Sequence, residues 1–321
     1  MTDISDTPLQ ADMRAALGFD IPPRPSDMSL SARLKGLLLD EIGEKALDAI
    51  EARDRRHPLT IDRIDLADVL ACEANYVETK DVPFEYTPQK ARGSLAGTML
   101  RRWYFRDQRP SVERDWNPVE AIHEVLDELS EQDDKLGRFI AGLSSGGRAD
   151  VAAGVLDVVH AFEEGWPLDI DPKPVRAHSS LRSKLFGGRL ILTYKVGFKF
   201  GQPRPQGGVP MSSVVLFDVR PGREYEEEER YNRWYAALLE LFQVGVAPLR
   251  VVTWYAESQH AVADTIDEGK LEAAARRVAG GVRRMAELAE GRPPAINPGW
   301  RCRYCPLGES CTEGAGWIQD A

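Results

Sequence analysis

Four cysteines, and their placement, constrain this chain more than any other feature. Cys302, Cys305 and Cys311 crowd into a short Gly/Pro-rich stretch near the end, and the fourth, Cys72, lies some 230 residues earlier. Taken alone, Cys72 reads as a core thiol buried on a helix. Three clustered cysteines lack a fourth ligand, however, and His260, the nearest histidine in sequence, is far from them. Four thiolates complete a tetrahedral or cubane site with none left over. A cytosolic chain does not normally keep such cysteines as disulfides. The fold therefore has to bring residue 72 and residues 302–311 together. Zinc and an iron–sulfur cluster both satisfy this ligand set. Structural zinc sites usually build from two close pairs; the one-plus-three arrangement here leans toward iron–sulfur, with 4Fe-4S as the expected form and zinc as the alternative.

The chain has 321 residues, 43% of them hydrophobic, enough to bury a sizeable core. It contains no apolar run of membrane-spanning length. Met1 to Pro25 is polar and lacks an apolar signal core, so the expected location is cytoplasmic. Residues 1–28, with Pro8, Pro22, Pro23 and Pro25, read as a disordered tail ahead of a single domain over 29–321.

Leu34, Leu37, Leu38, Ile42, Ala46 and Ile50 recur at helical spacing and predict one amphipathic helix over 31–52. A short helix follows at 65–76, capped by Asp62 or Asp65, with Cys72 inside it. Residues 88–106 look helical in their second half, and Asn117-Pro118 opens a helical run through 118–130, 133–143 and 148–164. Residues 29–170 thus read as a helical N-terminal part with an insertion.

The character changes at Gly187-Gly188. Leu190, Leu192, Tyr194, Val196, Phe198 and Phe200 alternate strictly with Arg189, Ile191, Thr193, Lys195, Gly197 and Lys199, which predicts a long strand with one largely basic face. Residues 213–219 and 249–256 read as further strands, 224–243 and 267–290 as helices. The class is α/β, with its core over 171–292 and a cysteine clasp over 293–315 that includes Cys72.

Net charge is −10, which taken alone argues against non-specific nucleic-acid binding. Its distribution says otherwise. Between Asp171 and Asp218 there is no acid, while Lys173, Arg176, Arg182, Lys184, Arg189, Lys195, Lys199 and Arg204 all fall there. A local basic surface meeting a polyanion is the functional reading; chance clustering on a solvated face is the other.

A far N-terminal cysteine plus Cys-x2-Cys-Pro-x4-Cys, bracketing a strand–strand–helix–strand core, resembles the PD-(D/E)XK nuclease superfamily. The likeness is to its RecB-like branch with an iron–sulfur clasp, as in the CRISPR-associated four-cysteine exonucleases and AddB-type nuclease domains. It covers roughly residues 60–315 and is carried by LADVLACE around Cys72, VVLFDVRPG at 214–222, YNRWYAALLELF at 231–242 and NPGWRCRYCPLGESC at 297–311. It implies a restriction-endonuclease-like core, and Mg²⁺ or Mn²⁺ on two carboxylates with a lysine beside the attacking water.

The motif residues depart from that pattern. The second motif is Asp218-Val219-Arg220, so the aspartate that would hold the metal is present and arginine, which stays protonated, replaces lysine. The first-motif aspartate aligns with Gly197, and a family histidine aligns with Gly97. The Gln-x-x-x-Tyr motif becomes Tyr231-x-x-x-Tyr235, keeping Tyr235. The Glu226–Glu229 run is a possible migrated ligand, though such a run more often decorates a helix N-terminus. Lys195, Lys199, Arg182 and Lys184 are the expected DNA contacts. The expectation is a catalytically impaired DNA-binding protein of repair, recombination or defence, acting on single strands or ends beside a helicase or nuclease partner. The alternatives are an active metal-dependent nuclease built on Asp218, and a scaffold that does not bind DNA.

Overall fold

The computed structural model describes residues 6–53, 58–105, 116–167, 174–201, 204–206, 209–222, 224 and 226–320. Lys173, of the basic stretch, falls outside them. In chain order the elements are α1 (Pro8–Leu17), β1 (Arg24–Pro25), α2 (Leu30–Ile42), α3 (Glu44–Glu51), β2 (Leu59–Ile61), α4 (Arg63–Ala71), α5 (Glu73–Thr79), α6 (Pro88–Phe105), α7 (Pro118–Ser130), α8 (Lys135–Ala141) and α9 (Ser145–Gly165). Then follow β3 (Pro174–Leu185), β4 (Leu190–Phe200), β5 (Arg204–Gln206), β6 (Val209–Ser212), β7 (Val215–Arg220), α10 (Glu226–Val244), β8 (Arg250–Tyr255), β9 (His260–Thr265), α11 (Glu268–Ala289) and α12 (Thr312–Asp320).

The architecture is α/β around a mixed sheet. β3 and β4 form a long antiparallel hairpin, so β3 takes one edge of β4. The other edge is shared: β2 runs parallel to its start and β7 antiparallel to its end. β8 continues parallel to β7, and β9 closes the order antiparallel to β8. The three strands read from sequence are therefore neighbours in one sheet. β3, β9 and the small sheet β1-β6-β5 were not foreseen.

Alternation along β7 and β8 splits the core between two faces. Leu216 and Val251 join a cluster with α2, α3, α4, α10 and α11, while Val215, Phe217, Val252 and Trp254 join one with α1 and α6 to α9. Along β4 the even residues change cluster at Gly197: Leu192, Tyr194 and Val196 pack on the α10 side, Phe198 and Phe200 on the other. Each odd residue beyond Gly197 is thereby turned toward α10. This corrects the reading of Lys199 as a DNA contact, because its ammonium forms an ion pair with Glu240 of α10, whose side chain is 1% exposed.

Residues 6–28 are not a loose tail. Thr7 and Gln10 close a capping box at the start of α1, and Met13 and Leu17 are buried. At its other end Gly18 adopts φ +60, and an added Cβ there would stand 2.3 Å from the Arg250 guanidinium. That group donates to the Ala15 and Ala16 carbonyls, both at 2.7 Å, satisfying the last turn and its dipole. The helix expected over 31–52 is two helices, divided at Gly43 with φ +73, where only glycine is at ease.

Removing one partner of a buried ion pair strands the other's charge. Lys199→Ala is expected to cost about 3–5 kcal/mol in urea unfolding, and Lys199→Met with Glu240→Leu to recover most of it.

Candidate metal centre and the Asp218 site

The helix that leads to Cys72 is set by its own cap. Asp62 accepts from the amides of Ile64 (2.7 Å) and Asp65 (3.1 Å), and Asp65 accepts from the amide of Asp62 (3.1 Å). Cys72 then leaves helical geometry, with φ −152 and ψ 109, before α5 begins. The expectation that it sits inside a continuous helix 65–76 is thus corrected. The reason is tertiary: the C-terminal segment lies against the break. The Ala74 amide donates to the Ala295 carbonyl (3.2 Å) and the Asn297 amide group to the Ala71 carbonyl (2.9 Å). Glu73, next to Cys72 and 6% exposed in its side chain, accepts from both Arg292 guanidinium NH2 groups (2.8 and 2.9 Å) and from the Ala295 amide (2.8 Å). Arg292 first, and then the Ala295 amide, hold this carboxyl below the usual carboxylate range against the opposing effect of burial.

Cys302 sits in a 3₁₀ turn over Trp300–Tyr304, and Cys311 just ahead of α12. The Gly299 amide donates to the Cys302 Sγ (3.4 Å) and the Gly314 amide to the Cys311 Sγ (3.3 Å). Gly314 leaves room for sulfur: an added Cβ there would meet Cys311 Sγ at 3.3 Å and Cys302 Sγ at 3.4 Å. All four cysteines are free thiols and border one cavity of about 560 Å³. Ala67, Leu70 and Leu307 supply apolar wall; Glu228, Arg277 and Arg301 supply charge. Among the described residues no three His, Cys, Asp or Glu side chains come together as a single-ion site. A tetrahedral zinc would need its sulfurs about 3.8 Å apart, given Zn–S near 2.3 Å. A cluster binds each thiolate to a different iron and so asks for a wider spacing of the sulfurs.

The second site lies at the end of β7. The Arg220 guanidinium bonds the Asp218 carboxylate (2.8 Å) and donates to the Tyr194 hydroxyl (3.2 Å), and that hydroxyl lies 3.3 Å from Asp218 Oδ2. Glu229 enters from the first turn of α10: its Oε2 is 3.8 Å from Arg220 Nε, and its Oε1 is 4.0 Å from Arg63. Arg220 Nε and Glu229 Oε2 are both buried without a hydrogen bond. Burial first, and then the Asp218 charge, push the Tyr194 hydroxyl up to about 12. Burial pulls the Arg220 guanidinium down, but Asp218, Tyr194 and Glu229 together carry it above its ordinary value. The two acids already face two guanidiniums. A hard cation here would have to displace arginine.

Other expected residues fall elsewhere. Gly197 does stand beside Asp218, since an added Cβ would lie 3.6 Å from Asp218 Oδ1. Tyr235, expected as catalytic, is buried, and its hydroxyl donates to the Ile61 carbonyl (3.3 Å), a structural use. Burial holds that hydroxyl well above its usual range. Arg182, Lys184 and Lys195 are exposed, and they occupy one face of the β3–β4 hairpin, Lys195 facing Ser180 and Arg182 facing Thr193. Among the described residues none of the three has an ion-pair partner. Of the Glu226–Glu229 run, the side chains of Glu228 and Glu229 are described. Tyr194 was overlooked because its even position reads as core, and Arg301 because its neighbours are the cysteines.

Comparison with protein-family models finds none that matches this chain, and no curated protein matches it. Among the described residues no helix is long and apolar enough to cross a membrane.

Glu73 tests the docking of the C-terminal segment. Glu73→Gln is expected to cost roughly 1–3 kcal/mol, since it removes the buried carboxylate that takes both Arg292 NH2 groups and leaves Arg292 its Nε bond to Glu287. The folded-state pKa of Glu73 is depressed, so its contribution is full above the ordinary carboxylate range and is lost as pH falls through the folded value. Urea unfolding at neutral pH and in acid should therefore show the wild-type and Glu73→Gln stabilities converging in acid.

Proposed function

We propose that this chain is a DNA-binding protein on a restriction-endonuclease-like (PD-(D/E)XK) core, clasped by an iron–sulfur cluster on Cys72, Cys302, Cys305 and Cys311, and impaired in cleavage. The observation that carries this reading is the state of Asp218. Its carboxylate is engaged by Arg220, and its neighbour across the β4–β7 pairing is Gly197 rather than a second acid. The mixed sheet with helices on both faces is compatible with such a core.

Bound at the four cysteines, the cluster would supply metal–thiolate bonds, whose free energy adds to folding free energy. The chain's own residues do the rest. Glu73 and Arg292 dock the C-terminal segment on the Cys72 break, and the Gly299 and Gly314 amides point at cysteine sulfurs. Arg182, Lys184 and Lys195 present exposed cations along a hairpin with no acid between 172 and 217. Same-face residues on one strand lie about 6.8 Å apart, a spacing along which a flexible polyanion can lay successive phosphates. Arg220, with Asp218 and Glu229 at hand, balances charge inside the protein and does not face the solvent as a phosphate contact.

A second reading has one specific observation behind it. Glu229 brings a second carboxylate to the Asp218 site, so an active divalent-metal nuclease would use this pair once Arg220 moved aside. The two readings separate in one assay. DNA binding is followed by fluorescence anisotropy across salt concentrations, and cleavage is followed with Mg²⁺ and with Mn²⁺. The expected outcome is binding without appreciable cleavage. Lys195→Ala, Arg182→Ala and Lys184→Ala are each expected to flatten the salt slope by about one. Lys199→Ala is expected to change stability and leave the slope alone. Mn²⁺-dependent cleavage lost in both Asp218→Ala and Glu229→Gln would establish the second reading instead. Gly197→Asp with Arg220→Lys restores the two acids and the lysine, and cleavage above the unmodified level is the expected result.

The metal assignment has its own measurement. Anaerobically purified protein is expected to contain about four iron and four sulfide per chain. Cys72→Ala and Cys302→Ala are each expected to lose that content and to lower the melting temperature. One zinc per chain would replace the cluster and leave the clasp; full metal content in Cys72→Ala would remove the clasp.

A further inference from the structure

The cysteine cavity and the Asp218 site are joined by one side chain. Arg301 immediately precedes Cys302, so whatever fixes Cys302 fixes the base of Arg301. Its guanidinium forks. One nitrogen bonds Asp68 on α4, one helical turn before Cys72, and the other bonds Glu228 at 2.7 Å. The arginine side chain is 16% exposed, and its Nε is buried without a hydrogen bond, so the fork is set into the protein. Glu228 belongs to the first turn of α10, and the next residue, Glu229, is the one that faces Arg220 and Arg63. Two successive glutamates on one turn thus face two different sites: Glu228 is held from the clasp, Glu229 meets the end of β7. That turn is also where the chain re-enters helix after leaving β7.

Among the described side chains of that turn, Glu228 is held by Arg301 and Glu229 stands near Arg220 and Arg63. Glu228 and Glu229 are adjacent acids in the first turn of α10, so each relies on a guanidinium to offset its charge. The clasp itself is thinly anchored: two 3₁₀ turns carry Cys302 and precede Cys311, and Tyr304 is 78% exposed. Metal–thiolate bonds would add to the Arg301 fork as a restraint on residues 299–311.

We propose that occupancy of the cysteine centre controls the Asp218 site through Arg301: the metal-loaded clasp holds Glu228, and with it Glu229 against Arg220, and the stripped clasp releases both. This rests on the reading of the four cysteines as a metal centre. Arg301 is a positioning residue in this scheme. By linkage, a free energy passed from clasp to site is passed back equally.

The test is hydrogen exchange of the full chain, followed by mass spectrometry, on protein as purified under anaerobic conditions and after removal of metal by a chelator. Removal is expected to raise exchange over 299–311 and, in step, over 226–233 by at least about tenfold, while 236–244 of the same helix stays protected. General destabilisation would move both parts of α10 together, so the contrast within one helix isolates the coupling. Arg301→Gln is expected to keep its metal yet show the same local loss over 226–233, with Arg301→Lys restoring part of it. Glu228→Gln, which leaves Arg301 on Asp68, provides the same test with residues 299–311 unsubstituted. Opening of 299–311 with no change over 226–233, or full protection of 226–233 in loaded Arg301→Gln and Glu228→Gln, would overturn the coupling while leaving the metal centre in place. A chain that holds no metal as purified and takes up none from iron and sulfide or from zinc would overturn the centre, and the switch with it.

Discussion

The structure depends on the docking of its C-terminal segment against the break at Cys72. Two arginines do this from the same stretch. Arg292 closes on Glu73, and Arg301 reaches Asp68 and Glu228. Both acids on the α4–α5 side lie within a few residues of Cys72, so the ion pairs bring the fourth thiol to the other three before any metal is considered. Burial dominates at Asp68, where it pushes the carboxyl up to about 6 against the pull of Arg301. Its neighbours Glu228, Asp65 and Asp62 add to that rise. A site that keeps so much acid around one guanidinium relies on that guanidinium staying in place.

From this constraint the sheet and its helices can be followed outward. α4 carries Cys72 at one end and takes its start from Asp62, just after β2 joins β4. α11 packs on α4 closely, since a Cβ at Gly281 would lie 2.8 Å from Leu66, and it ends where Arg292 begins the return to Glu73. α10 lies between, with Tyr235 anchored on Ile61 and Glu240 on Lys199. The polar groups that looked functional in a list of residues are, in this helix, mostly the means by which it is seated.

Much of this was legible in the sequence, and what was not has physical reasons. β4, β7 and β8 announce themselves by alternation or by apolar runs. β3 does not, because Ala177, Ser179, Leu181 and Ser183 make a weak pattern that becomes a strand only through its pairing with β4. α1 carried a readable start, Thr7-Pro8 with Gln10 three residues after Thr7, and a glycine stop at Gly18; its neighbouring prolines outweighed them. The break at Cys72 has no local signal, since Leu66, Val69 and Leu70 keep helical spacing up to it. At the candidate site, Asp218 and the cysteines were singled out by their motifs, whereas the pairing of Lys199 with Glu240 was missed because strict alternation was carried past Gly197. Period two predicts a face only while the strand keeps the same neighbours on that face.

The Asp218 site shows how charge can be balanced in more than one way. Asp218 and Glu229 together carry two negative charges, and Arg220 and Arg63 answer with two positive ones, the same charge a divalent ion would bring. Guanidiniums do this differently from a metal. They are tethered, they hydrogen bond in fixed directions, and they stay charged at any ordinary pH. Such a network costs desolvation, and its members have to be matched in number, since an unpaired buried charge is far more costly than a neutral side chain. Glycine at 197 and arginine at 220 are consistent with each other on this ground. A third acid at 197 would leave the arginine-balanced network with one negative charge too many, and a lysine at 220 would lose the fork that meets Asp218 and Tyr194 together. The two departures from the nuclease pattern therefore read as one arrangement, in which a protein cation stands where the resemblance would place a metal ion.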